Sequence, residues 1–482
     1  MSTRQIATST LWQIASQVTM AALSVLTVKF VAIGLTKELA GNYNSAYGYL
    51  QLFGILADFG LYAISVREVS RAEDKERVLG ALIVLRSIIL VISLLSALLL
   101  VWIIPTWRGT PLPLGVTIAS LVPFFTLLAG IIRTVFQVKY KMQYVFIAEV
   151  IQRIITAGLI GLIIFLGVRG SNDLHIYHLF LFIGGVGAFV LFFLSFSYGN
   201  RLVRIRPTFD AKLLKRLLRE AAPFGLAFLC MAIYRNLDLT LIALLRPDFE
   251  LQNAYYGFVL RMAEMGYLIP TFLLNSTLPI LNERDAAGED TRSLLGKTLL
   301  ILMLLGTISF LFSLLWSRPL VHLLTTESYL STPARPGADT ALRLLATPIF
   351  LNGIITYCFY VLLTRKSWQR LVASLAAGAV LSTALNLSLI PLHGFVGAAV
   401  VSIVVHLFLA ATLLPTALQK MPPQFQPSAV LRWLVFSALL ALALIWLEPL
   451  LQSDWQTATG LALSIIFISV LALVLRLDRN LI

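Results

Sequence analysis

Eleven charged side chains stand inside stretches that are otherwise apolar, and they are the residues with chemistry to offer. One group lies toward one end of its spans. Lys29 is in SVLTVKFVAIGL, Arg235 and Asp238 are in PFGLAFLCMAIYRNLDLTLIALL, Arg261 and Glu264 are in AYYGFVLRMAEMGYLIPTFLL, and Arg343 is in TALRLLATPIFL. Asp58, Arg86, Arg133, Glu149 and Arg153 form a second group toward the opposite end. A charge at the centre of a hydrocarbon layer costs about 2.5–3.5 kcal/mol on insertion scales, so each needs a partner or a wet cavity. Both groups hold more cations than carboxylates, so a chamber lined by them is net basic and suits an anion. The planar fork of arginine fits the paired oxygens of a phosphate. The candidate substrate-binding residues are therefore Lys29, Arg235, Arg261, Arg343, Arg86, Arg133 and Arg153. Asp58, Asp238 and Glu264 are candidates for counter-ions or for coupling to protons or sodium.

Local pairing is the competing account. Arg235–Asp238 and Arg261–Glu264 are spaced i,i+3, and Glu149–Arg153 is spaced i,i+4, so each pair shares a helix face. Arg86, Arg133 and Arg153 can also reach toward headgroups along their aliphatic stems. Asp58 reads as a counter-ion for a buried arginine in preference to an ion carrier. Lys29 has no acidic residue within its own span, and the excess of cations leaves charge for a ligand to neutralise.

The elements that position these residues are membrane spans. The chain has 482 residues, 59% hydrophobic and 12% charged, with a mean hydropathy of +0.88. Soluble proteins carry about 25% charged residues. Apolar runs of twenty or more residues match the length needed to cross a ~30 Å hydrocarbon core. Strand-like alternation is absent, which argues against an outer-membrane barrel. The expected fold is all-α and polytopic, with about fourteen spans at 10–34, 43–65, 79–104, 113–137, 145–168, 175–198, 221–245, 254–280, 297–322, 339–363, 369–390, 395–418, 429–449 and 456–475. The first apolar run is too long for a signal segment and has no small-residue cleavage site behind it, so no cleavable signal is expected.

Placing the connectors alternately on the two sides puts 24 lysines and arginines on one side and 6 on the other. The positive-inside rule then sets both termini in the cytoplasm, and the net charge of +14 is topology rather than a nucleic-acid footprint. The segment 199–220 is a basic connector whose LLKRLLRE stretch reads as an amphipathic helix at the headgroups. It divides the chain into an N-terminal lobe, 1–198 (spans 1–6), and a C-terminal lobe, 221–420 (spans 7–12). Residues 421–482 add spans 13 and 14. A short repeat supports two parallel copies. Tyr47-Gly48-Tyr49 aligns with Tyr256-Gly257-Phe258 at an offset of 209, which also carries Lys29 onto Asp238. Transporters built from such copies bind substrate at the interface between them.

The other polar features carry less. Cys230 and Cys358 lie in apolar segments and read as packing residues. His175 and His178 have helical ligand spacing but no further ligand, so no metal site is expected. His406 lies within a span, and a proton-relay role has no support beyond that. Pro223, Pro270 and Pro348 sit at or inside spans, where a freed carbonyl permits a bend. Neither a nucleophile constellation nor a phosphate-cradling glycine loop is present, so neither an enzyme nor an ATP-driven pump is expected, and no cofactor.

Three passages carry a resemblance: Thr8 to Leu35; Asp58-Phe59-Gly60-Leu61 followed by Arg67-Glu68-Val69-Ser70-Arg71; and Asn386-Leu387-Ser388-Leu389-Ile390-Pro391 followed by Gly394-Phe395-Val396-Gly397-Ala398-Ala399. They resemble, in turn, the first span, the second span with its inner loop, and the junction of spans 11 and 12 of the Wzx-like oligosaccharide flippases. That family belongs to the multidrug/oligosaccharidyl-lipid/polysaccharide exporter superfamily. The resemblance implies two six-helix lobes around a central cationic cavity in the inner cell membrane. It implies movement of a polyprenyl-diphosphate-linked oligosaccharide from the inner to the outer leaflet for surface polysaccharide assembly. The expected partners are that anionic lipid-linked sugar, membrane lipids and other polysaccharide-assembly proteins, with no nucleic acid. The rival expectations are a peptidoglycan-precursor flippase, a multidrug exporter of the same superfamily and, more distantly, a membrane-embedded glycan polymerase or ligase. Cationic drugs would favour an acidic chamber, and a glycan enzyme would need a convergent catalytic set.

Overall fold

The structure, a computed structural model, describes residues 3–475 apart from 59, 62–63, 66–67, 70–71, 140, 205 and 366. Of the residues singled out above, Phe59, Arg67, Ser70 and Arg71 lie outside the described residues. The described chain is helical throughout: α1 (Thr3–Gly34), α2 (Lys37–Asp58), α3 (Lys75–Ile103), α4 (Leu112–Ala119), α5 (Leu121–Val138), α6 (Gln143–Phe165), α7 (Leu174–Leu202), α8 (Ala211–Leu245), α9 (Phe249–Ala286), α10 (Arg292–Leu315), α11 (Ser317–Leu324), α12 (Ala338–Thr364), α13 (Trp368–Lys420), α14 (Pro427–Leu447) and α15 (Asp454–Val474).

Among the described residues, ten helical segments are long and apolar enough to cross a membrane. Helices α4 and α5 together make one of them. Helix α13 makes one long segment but holds two arms, because Gly394 has φ 57° and ψ −137°. Only glycine takes that left-handed conformation without strain. The arms then run back against each other, with Leu409 packed at Gly378. With α1, α2 and α9 added and the arms of α13 counted separately, the expected fourteen spans are all present. The protein is an all-helical, multi-pass membrane protein.

The chain forms two compact units, Met1–Gly257 and Phe258–Ile482, with the boundary inside α9. In the first unit α1 packs along α6, α5 against α7, and α2 against both α3 and α8. The turn at Gly170 and Ser171 closes the end of α1, where both backbone N–H groups donate to Ile33 and Gly34 carbonyls at 2.8 Å. In the second unit α12 lies between α10 and α13. Phe436, Leu440 and Leu444 of α14 pack on Trp316, whose indole Nε1 donates to the Leu444 carbonyl at 2.9 Å.

The basic connector departs from the expected surface helix. Leu213 to Glu220 are the opening turns of α8 and run without a break into the span. Asp210 caps them, its Oδ1 accepting from the N–H groups of Lys212 and Leu213 at 3.1 Å. The apolar side of these turns meets protein, not headgroups: Leu214, Leu217 and Ala221 pack with Leu61, Ile64, Val69, Val78 and Leu82. Arg77 pairs with Asp210 at 2.5 Å and Arg216 with Glu68 at 3.5 Å around the rim. The amphipathic pattern is real, but its apolar stripe was matched to the α2–α3 segment, which the sequence of the connector does not contain.

Candidate functional site

The inner group of charges consists largely of pairs between neighbouring helices. Arg86 of α3 is only 5% exposed and forms an ion pair with Asp58 at the end of α2. Gly130 of α5 leaves room beside that guanidinium, since a Cβ there would stand 3.3 Å from Arg86 Nη2. Arg133 of α5 donates to Glu149 of α6 at 2.9 Å. Asp58 is thus a counter-ion here, and Glu149 serves a neighbouring helix. A buried ion pair of this kind neutralises charge that would otherwise be prohibitive, whether or not it adds stability. Arg153 is half-buried on α6, one turn beyond Glu149.

The outer group is divided between the two units. In the first, Lys29 of α1 and Arg235 of α8 are half-buried and Asp238 is buried. Asp238 Oδ2 accepts from the Tyr256 hydroxyl at 2.6 Å, and its Oδ1 accepts from the Leu239 N–H at 2.9 Å. In the second unit Arg261 and Glu264 of α9 are half-buried. Arg343 of α12 is exposed, and its Nη2 donates to Ser317 Oγ at 3.4 Å. His406 is buried on α13, with Nδ1 2.8 Å from the Ser402 carbonyl and its ring against Tyr267. A cavity of about 400 Å³ opens at the α9–α10 turn near Arg292, Arg365 and Lys420. None of the candidate cations lines it.

The structure also contains a polar seam that the charge-based reading missed. Asn42, Asn44 and Ser45 of α2 meet Glu250 and Asn253 of α9, all within the first unit. Asn42 Nδ2 donates to Glu250 Oε1 at 2.8 Å, Asn44 Nδ2 to the Asn253 carbonyl at 3.1 Å, and Asn253 Nδ2 to Ser45 Oγ at 2.8 Å. The signal was in the repeat. Asn44 and Asn253 are related by the offset of 209, so the matched segments touch each other.

Comparison with known proteins gives the family. The sequence profile described as polysaccharide biosynthesis protein matches residues 6–281, more than half of the chain. The chain belongs to that family. No curated protein matches by sequence. Among solved structures, the lipid II flippase MurJ in an inward closed conformation is 14% identical and covers 98% of this chain and 99% of its own, with a TM-score of 0.73. An inward-facing multidrug resistance MATE family transporter of the MOP superfamily is 12% identical over 85% of this chain and 98% of its own, at 0.64. A MOP superfamily transporter from Pyrococcus furiosus, described as having a binding pocket of reversed polarity, is 13% identical over 86% and 92%, at 0.56. These likenesses show the fold, and the family rests on the profile; both agree with the resemblance read from the sequence.

Proposed function

We propose that this member of the polysaccharide biosynthesis family is a flippase for a polyprenyl-diphosphate-linked oligosaccharide. The observation that carries the reading is the sign of the membrane-buried charge. Asp58 and Glu149 answer Arg86 and Arg133, while Lys29, Arg235, Arg261 and Arg153 outnumber the remaining carboxylates Asp238 and Glu264. A diphosphate supplies the balancing charge, and the arginines supply paired donors for its oxygens. The prenyl tail stays in lipid while the headgroup crosses, and the lobes rock to expose it from the inner to the outer leaflet of the inner cell membrane. Both termini face the cytoplasm on the distribution of lysine and arginine. Asp238 and Glu264 are the candidates for coupling to protons or sodium.

A peptidoglycan-precursor flippase is the second reading. It is favoured by the near-complete overlap with the lipid II flippase fold, and it shares the diphosphate chemistry. Purified protein in proteoliposomes, offered a polyprenyl-diphosphate oligosaccharide, lipid II and a cationic dye in parallel, separates the readings. Arrival of the oligosaccharide lipid in the opposite leaflet without dye transport is the expected result. Lipid II movement alone would replace the first reading with the second, and dye movement alone would overturn both.

A further inference from the structure

We propose that the cavity at the α9–α10 turn is a second anion site, which takes a phosphate group at the face that the lysine and arginine distribution assigns to the cytoplasm. None of the membrane-depth cations lines it, and it stands independently of the flippase reading.

Three basic side chains reach this cavity from three elements of the second unit. Arg292 opens α10, Arg365 follows the last residue of α12, and Lys420 ends α13. All three line the same space of about 400 Å³, a volume within the range of small-ligand sites. The wall is held in place by backbone. The Gln424 N–H donates to the Arg292 carbonyl at 2.9 Å, and a Cβ on Gly296 would overlap the Gln424 carbonyl. The chain leaving α13 therefore lies directly on the first turn of α10, which keeps Lys420 and Arg292 on one cavity.

The balance of charge favours an anion. Arg365 and Lys420 have an ordinary role at the ends of α12 and α13, where the helix dipole favours cations. Arg292 has the opposite placement, at the first position of α10, where the dipole already presents positive charge. The two carboxylates of the wall are engaged. Glu289 pairs with Arg284 at 3.9 Å, and Asp290 Oδ1 accepts from the Arg292 N–H at 3.0 Å. Thr291 adds a donor. It lines the cavity, is only 8% exposed and makes no capping bond. Its hydroxyl has no hydrogen-bond partner among the described residues. A buried hydroxyl without a partner calls for one, and with two guanidinium groups and an ammonium it completes a donor set suited to phosphate oxygens.

A phosphate group reaches this site from an anionic lipid of the adjoining leaflet or from solution, and the test has an arm for each. In the first, purified protein in detergent is titrated with inorganic phosphate against chloride at matched ionic strength and read by thermal unfolding. The membrane-depth cations are common to parent and variant, so only the difference between the two counts. Arg292→Gln combined with Lys420→Gln is expected to raise the half-saturating phosphate concentration roughly tenfold. Lys212→Gln combined with Lys215→Gln removes the same charge from the exposed side of α8 and leaves that concentration unchanged. In the second arm the same proteins are reconstituted in vesicles of phosphatidylglycerol and phosphatidylcholine and re-extracted, and retained phosphatidylglycerol is counted by mass spectrometry. Loss of retained lipid in the cavity variant alone assigns the site to the leaflet. A response in the phosphate arm alone assigns it to free phosphate, and a response in both supports the shared chemistry. No difference from the parent in either arm, or an equal loss in the Lys212 and Lys215 variant, overturns the proposal. If the cavity variant does not fold, Thr291→Val decides in the same two arms. A roughly threefold weakening supports the site, and parent-like binding in both arms overturns it.

Discussion

Arg86 shows what a residue-scale reading must weigh. Its guanidinium is enclosed by α3 and α5 and answered by Asp58. Removing one partner strands the other charge in a low-dielectric site, whereas removing both need not destabilise. Arg86→Ala is expected to lower stability by about 3–5 kcal/mol, while Arg86→Met combined with Asp58→Leu stays near the parent. Thermal unfolding in detergent, read on the three proteins, checks this, and equal loss in the single and the double variant would contradict it. Asp210, at the connector, supplies a pH test. The Arg77 side chain, followed by the Leu213 N–H, holds its carboxyl below the ordinary value of 3.8. A depressed carboxylate stabilises fully above its unfolded pKa and loses that contribution as pH falls through the lower, folded value. Amide exchange at Leu213 and Leu214 should therefore be indifferent to this group from neutral pH down to about 4. Below that, protection should fall more steeply in the parent than in Asp210→Asn, which keeps a cap but has no charge to lose.

At the scale of elements, hydropathy located the spans because a membrane asks the same thing of every one of them. It fixed the two arms of α13 on either side of Gly394 and placed α14 and α15. It did not reveal that α8 begins at Ala211. The LLKRLLRE stretch carries an apolar stripe and a basic one, and that pattern is identical whether the stripe meets lipid or protein. The partner decides, and the partner is more than a hundred residues earlier. Leu217, fully buried in that contact, gives the discriminating variant. Leu217→Ala should cost about 2–4 kcal/mol if the residue is core, and almost nothing if it lies at a headgroup surface. Denaturation midpoints, together with protease cleavage in the 203–210 connector, distinguish the two. The candidate charges were legible in the same partial way. Their presence inside spans was plain, and Asp58 was read as a counter-ion, but the partnership of Arg133 with Glu149 across two helices has no sequence spacing to announce it. The seam was legible only as a repeat, since nothing in a one-dimensional match says that the two copies touch.

For the whole molecule, the issue is whether the cations act as one site or as separate structural charges. Lys29 and Arg235 belong to the first compact unit and Arg261 to the second, so only a ligand-dependent measurement can join them. A diphosphate headgroup engaged by all three would lose a charge-assisted hydrogen bond with each neutralisation, worth about 1.5–3 kcal/mol apiece, or roughly 10- to 100-fold in apparent affinity. Lys29→Gln, Arg235→Gln and Arg261→Gln are each expected to raise the half-saturating concentration of lipid-linked oligosaccharide by about that factor. The triple charge reversal should abolish flipping in protein that remains folded by thermal melting. Arg343→Gln is the internal comparison: this side chain is exposed and hydrogen-bonded to Ser317, and a smaller effect than the other three is expected. If the three single variants were to flip like the parent, their charges would be structural and the anion would have to be held elsewhere. If instead a cationic dye began to move in the triple reversal while the lipid-linked sugar stopped, the sign of the chamber would be shown to choose the cargo on a common fold.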